Sequence, residues 1–520
     1  MRYKLSLLVC LLSVLLLMDS APSADAQTLL YTLDTPNQRA EATFGYSMAM
    51  GDINGDGRDD IAVGAPYEQV GGNASQGRAY IFSGADGSLI FTLNTPNPQA
   101  GAFFGFSIAV RDTNGDGKGD IIVGAPLEDV GGNVDQGRVY VFSGVNASLL
   151  FTLDNQNPQM ATKFGWSVAA GNVSGDGKGD IAVGAPGGNA GGPADQGRVF
   201  VFSGMGGSLL FTLGRPGTPG YARFGHSVAV GDVNDDGKGD IAVGAPWEEV
   251  GGNTWQGRAY VFSGIDGSPL FTLDTPAPRE ETQFGHSVAV GDVDGDGQGD
   301  IAIGTPTGEF GPGQAYVFSG ADRSLLFNLG VPGSSVVVDD VNSDSKGDIV
   351  VGADGDGGQG RAYVYSGGDG SLLFPLNTAN PQWRAQFGFS VAAGDVNGDG
   401  KGDMAVGAPY EDVGGRTNQG RVYVFLSSAT GPAPTVTPTR TPITPTSTST
   451  PCPTPTPPHQ ASVGGTVKLA PAAVAVEAGA HATGSRSTIG TYAALVAGGA
   501  LLLTAGGWGV RRRKASTPRR

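Results

Sequence analysis

Residues 44–93 read FGYSMAMGDINGDGRDDIAVGAPYEQVGGNASQGRAYIFSGADGSLIFTL. Four short runs stand out in this stretch. Residues 47–51, 61–66, 78–84 and 88–93 (SMAMG, IAVGAP, RAYIFSG and SLIFTL) collect apolar, β-branched and aromatic residues. Clusters of Gly, Asp, Asn and Ser separate them. Runs this short, bounded by turn residues and lacking a helical period, predict four β-strands.

The pattern then repeats along the chain. FGYS at Phe44 returns as FGFS at Phe104, FGWS at Phe164, FGHS at Phe224 and FGHS at Phe284, every 60 residues. FGFS comes back at Phe387, and a shorter, worn copy lies before it around Gly333, Ser334 and Ser335. Seven repeats of four strands predict an all-β fold, a seven-bladed β-propeller of four-stranded blades. The seventh repeat stops at RVYVF (421–425) without a fourth strand, while residues 28–33, TLLYTL, are a fourth-strand copy ahead of any FG. The N-terminal strand is therefore expected to complete the last blade and close the ring, which hides its sheet edges. A linear β-solenoid is the competing architecture, but it needs terminal caps, and none is evident.

The loop between the first two strands carries the chemistry. The first copy, DINGDGRDD, sets oxygen-bearing side chains at positions 1, 3, 5 and 9: Asp52, Asn54, Asp56 and Asp60. The second gives Asp112, Asn114, Asp116 and Asp120, and the fourth Asp232, Asn234, Asp236 and Asp240. The fifth gives Asp292, Asp294, Asp296 and Asp300; the sixth, Asp340, Asn342, Asp344 and Asp348; the seventh, Asp395, Asn397, Asp399 and Asp403. The third keeps Asp176 and Asp180 but has Asn172 and Ser174 at positions 1 and 3. Calcium takes six to eight oxygen ligands, and alternate carboxylates on a tightly curled loop supply them. Gly57 permits the sharp turn, and the carbonyl of Arg58 is a further donor. An EF-hand needs flanking helices and Glu at position 12, where this chain has strand-like flanks and Val63. Metal-free Asx-Gly turns are the plainer alternative. Seven loops in register favour up to seven structural Ca²⁺ ions, with the third loop and the sixth (Ser345 for the turn Gly) expected to bind more weakly.

Charge supports this reading. The net charge is −17, and 21 of the 49 acidic residues sit at these loop positions. Seven divalent cations would bring the balance to about −3. An acidic chain with only 32 basic residues is not built for nucleic acid.

These motifs resemble the FG-GAP repeat, as in the N-terminal propeller of integrin α subunits, over roughly residues 27–428. FG opens each blade, the DxNxDGxxD loop follows, and GAP ends the second strand. Repeat five has Gly304-Thr305-Pro306 in place of GAP. Repeat six lacks FG and has Gly352-Ala353-Asp354, so its blade is expected to be distorted. The resemblance implies calcium loops on one face and ligand binding on the other. The connections there include YEQVGGNASQ from Tyr67, WEEVGGNTWQ from Trp247 and YEDVGGRTNQ from Tyr410. Tyr67, Trp247, Trp255, Trp383 and Tyr410 are the candidate ligand-face residues. Exposed rings beside carboxylates stack on sugars or anchor a protein partner; packing against neighbouring blades is the alternative. No catalytic residue is predicted. His226 and His286 occupy the slot after FG where other copies carry aromatics, and no GxSxG or HExxH string is present.

The two ends read differently. Residues 1–26 have a basic start, an apolar run and Ala24-Asp25-Ala26, the pattern of a cleaved secretory signal. Only Cys452 would then remain, which precludes an intrachain disulfide. Residues 429–487 are Pro/Thr-rich and then rich in small residues, the composition of a disordered stalk. Residues 488–510 are uncharged and long enough to form one transmembrane helix, followed at 511–520 by a basic tail that places the propeller outside. An integrin subunit is expected to continue from the propeller into β-sandwich domains, whereas a Pro/Thr-rich segment follows it here. The expectation is a cell-surface, single-pass protein whose propeller binds an extracellular protein or glycan. A self-associating surface-layer protein is the alternative, and an extracellular hydrolase or lyase the remote one.

Overall fold

The computed structural model describes residues 27–187, 196–216, 220–308 and 311–427. The expected signal (1–26), stalk (429–487), membrane span (488–510) and tail (511–520) lie outside them. No helix of the described residues is long and apolar enough to cross a membrane.

Seven four-stranded antiparallel sheets make up the described residues, which contain almost no helix. In the first blade the strands are Met48–Gly51, Asp60–Ala65, Arg78–Phe82 and Leu89–Leu93. The first strands of successive blades touch in an unbroken cycle, the seventh meeting the first. They therefore line the central channel. The second strand is buried along its whole length, which explains why IAVGA shows no polar alternation. The outermost strand is exposed at one end and buried only at its final Leu.

Ring closure follows the expected route. The last sheet runs Leu29–Asp34, Arg421–Phe425, Asp403–Ala408, Ser390–Gly394. Thr32 pairs with Tyr423, and Leu33 with Val422. The N-terminal strand is thus the outer strand of the seventh blade.

The FGxS motif joins blades. Each FG phenylalanine is fully buried and meets a third-strand phenylalanine edge-on, as Phe44 meets Phe82 at 5.8 Å. The motif serine donates its hydroxyl to the FG-glycine carbonyl of the next blade: Ser47 to Gly105 at 2.8 Å, and Ser390 to Gly45 at 2.7 Å across the closure. A Cβ on Gly64, the glycine of GAP, would lie 2.0 Å from the Gly105 oxygen. Only glycine lets the two backbones approach that closely.

Blade six departs from expectation. Its four strands, Ser335–Asp339, Asp348–Ala353, Arg361–Tyr365 and Leu372–Leu376, pair as in every other blade. The loss of FG and GAP does not distort the sheet. It changes the connection after the second strand, which is cut to a 3-10 turn at Asp356–Gly358.

Candidate metal loops and ligand face

Antiparallel order puts the first-to-second and third-to-fourth connections at one end of every blade, and the other connections at the opposite end. The acidic loops share the first end.

Within a loop the carboxylates organise the backbone. Asp52 accepts hydrogen bonds from the amides of Gly55 (2.6 Å), Asp56 (3.1 Å) and Gly57 (2.9 Å). Asp60 is buried and accepts from the amides of Ile53, Asn54 and Gly84. Burial raises its pKa to about 6, with those hydrogen bonds opposing. Asp240, Asp300 and Asp348 are likewise pushed up to about 6 by burial, and Asp403 to about 7. A carboxylate desolvated in this way favours either a proton or a metal ion.

The donor set fits a hard divalent cation. Asp292, Asp294 and Asp300 bring carboxylate oxygens within 4.8 Å of one another. Asp403 keeps one buried oxygen, Oδ2, without a hydrogen-bond partner. The oxygen-bearing side chains at positions 1, 3, 5 and 9 would hold the ion, whose charge would offset the repulsion among the acids. The substituted loops keep the same turn. Asn172 accepts from the Gly177 amide at 3.1 Å in place of an aspartate, and Ser345 adopts the left-handed φ of 64° that glycine has elsewhere.

At the opposite end the residue after FG forms a collar in the channel. Tyr46, Phe106, Trp166, His226 and His286 follow one another with ring centroids 4.5–5.8 Å apart, and Phe389 lies 4.7 Å from Tyr46. Ser334 interrupts the collar at blade six, where its hydroxyl donates to Asp354. Burial, then the neighbouring His286, Arg223 and Lys163, hold the His226 pKa well below the usual range.

The ligand-face candidates separate into three groups. Tyr67 is half-buried, 4.7 Å from Phe103 and 6.0 Å from Tyr46, and Tyr410 packs edge-on against Phe389 at 6.2 Å. Both belong to the collar's outer layer and are not freely exposed rings. Trp247 and Trp255 stack on each other at 5.4 Å, with Tyr221 beside them and the Arg223 guanidinium 3.2 Å over Trp247. Trp383 stands apart, 76% exposed, with its ring against Gly358.

The acids of these connections require a correction. The expectation set exposed aromatic rings beside carboxylates, with packing against neighbouring blades as the alternative. Instead the first acid, Glu68, is buried, accepting from Tyr80 Oη (2.7 Å), Arg78 Nη1 (2.9 Å) and Asn37 Nδ2 (2.6 Å). Glu128, Glu248 and Glu411 repeat this, with Arg215 replacing the asparagine at Glu248. They pin the connection to the blade, and only the second acid, such as Glu249, faces water. The signal was present in the sequence: a tyrosine 12 residues after each of these glutamates.

Known proteins share these features. The FG-GAP repeat matches at residues 44–82, 104–142, 164–202, 224–262, 284–318, 332–365 and 387–425, one match per blade. Integrin alpha-5 of Xenopus laevis is 33% identical over 233 residues, 42% of this chain and 21% of that protein. Integrin alpha-PS2 of Drosophila melanogaster is 33% identical over 235 residues, 41% of this chain and 16% of that protein. Integrin alpha-V of Gallus gallus is 32% identical over 217 residues, 39% and 20% respectively. The chain thus spans about a fifth of the length of these relatives. With a repeat match in every blade and the FG, loop and GAP residues meeting where the ring is built, the chain belongs to the FG-GAP repeat family and is an integrin-alpha-like propeller.

Proposed function

We propose that this chain is a calcium-stabilised cell-surface propeller that recognises an extracellular protein or glycan through the end opposite its acidic loops. The observation that carries the reading is the division of labour between the two ends. One bears seven near-identical loops suited to a structural cation. The other varies from blade to blade in its aromatics, the exposed Tyr221, Trp255 and Trp383 and the half-buried Trp247. A repeated feature serves the ring; a varied one distinguishes partners. The relatives are integrin alpha subunits by name, which supports adhesion over catalysis. In this reading residues 1–26 direct export, 429–487 form a stalk, 488–510 anchor the chain in the membrane, and 511–520 lie inside.

The test is binding of the full chain, with calcium and with chelator, to arrays of glycans and extracellular matrix proteins. Calcium-dependent binding that falls at least tenfold in a Trp247→Ala/Trp255→Ala or a Trp383→Ala variant supports it. Calcium-dependent self-association with no array binding would instead favour a surface-layer role.

A further inference from the structure

The acidic loops do not stand alone; the first, second, third, fifth and seventh each borrow a cation from the next blade. Lys118, at position 7 of the second loop, lays its side chain across Gly55 of the first and donates to the Asn54 carbonyl at 2.5 Å. Lys178 lies in the same way on Gly115, Lys238 on Gly175 and Lys346 on Gly295. Arg58 reaches Gly398 of the seventh loop and carries the pattern across the closure. The stems approach within 2.9–3.4 Å of where a Cβ would sit on these glycines. A bulkier side chain at position 4 would therefore displace the cation.

One junction breaks the rule at both of its partners. The fourth loop has Asp235 where the others just named have glycine, and the fifth blade offers Gln298 in place of a cation. Asp235 is exposed and holds a left-handed φ of 57°, which aspartate tolerates better than most residues. The fourth loop thus gathers Asp232, Asp235, Asp236 and Asp240, and the position-7 residue of the following blade is the uncharged Gln298; that blade's Arg323 lies instead over Phe271 of the outermost strand, Pro269–Leu273. The fifth loop also has four acids, but it receives Lys346.

We infer that the cation at position 7 is a tethered counterion that sets the calcium affinity of the preceding loop, and that residues 232–240 form the tightest calcium site of the ring. This rests on the calcium reading of the loops. A fixed positive charge beside a loop steadies it when empty and repels the entering Ca²⁺, so each loop with such a neighbour binds more weakly. At a separation of several ångströms near the surface, one charge changes affinity about three- to tenfold, and less in high salt.

Equilibrium binding of calcium to the full chain, by dialysis with a radioactive tracer, tests this. The tightest class should hold one ion, vanish in Asp232→Ala/Asp236→Ala, and weaken three- to tenfold in Gln298→Lys. That weakening should shrink in 0.5 M salt, on the order of a Debye length of 4 Å. Independently, Lys118→Gln should tighten the first loop by a similar factor, whereas a cation that mainly preorganises the loop would give the opposite sign. A tightest class that survives the loop-four substitutions, or a Gln298→Lys chain that binds as well or better, overturns the inference while leaving calcium binding intact. No calcium binding by the unsubstituted chain would overturn the calcium reading itself, and this inference with it.

Discussion

Glu68 and His226 show what single residues in a repeat reveal and conceal. The position-1 and position-9 acids were legible because they recur at fixed spacing around glycines. Glu68, between an aromatic and a segment leading to Gly-Gly, carries no local mark of burial. Its partners are 10, 12 and 31 residues away, and only the folded blade brings them to one carboxylate. His226 was read correctly as taking an aromatic's place, but its titration depends on the collar. Its folded pKa lies below the unfolded value of about 6.5. The stability it contributes is therefore present above about pH 6.5 and lost as the pH falls toward the folded value, by up to about 1.4 kcal/mol per pH unit. The loop acids act in the opposite sense. Without metal, Asp60 and Asp300 favour folding at acid pH and lose that contribution as the pH rises through about 6. His226→Phe, the residue found after FG at Phe106 and Phe389, should leave urea midpoints at pH 7.5 nearly unchanged and raise them at pH 5.5 relative to the parent chain. Equal shifts at both pH values would assign the effect to packing.

At the scale of elements, strand pairing proves more tolerant than the motifs that announce it. Blade six lost FG and GAP yet keeps four strands, because the β-branched run in SVVVD and the buried run DIVVGA suffice to form them. The motifs instead govern how blades fit together, so damage should depend on where a glycine sits. Gly64→Ala forces a Cβ into the neighbouring blade's backbone and should cost more than about 3 kcal/mol. Gly71→Ala meets nothing within 4 Å and should cost about 1 kcal/mol for its positive φ alone. Urea denaturation of the two variants checks this; similar losses would mean that blade contact is not what fixes the GAP glycine.

The whole ring was legible from the count of repeats and from one displaced strand at the N-terminus. The sequence did not show how the ends of the blades differ in detail, since the collar and the Trp247–Trp255 stack depend on blades meeting around an axis. If the loops hold structural calcium, the cation and the ring should melt together. Each independent site at tenfold excess over its Kd contributes about 1.4 kcal/mol, so several sites should raise the midpoint by many degrees. Thermal unfolding of the full chain should show a large upward shift with Ca²⁺ that chelator reverses and Mg²⁺ does not restore. An unshifted midpoint would reduce the loops to turns.

The placement of the N-terminal strand also bears on mechanics. The chain continues past residue 427 from Arg421–Phe425, a strand held between Asp403–Ala408 on one side and Leu29–Asp34 on the other. Tension from that direction enters the ring through an interior strand, not through an outermost one that could peel away a bond at a time. Two ladders of backbone hydrogen bonds, one to each neighbour, must shear together before the strand slips. A ring fastened in this way resists a pull applied through the residues that follow its seventh blade.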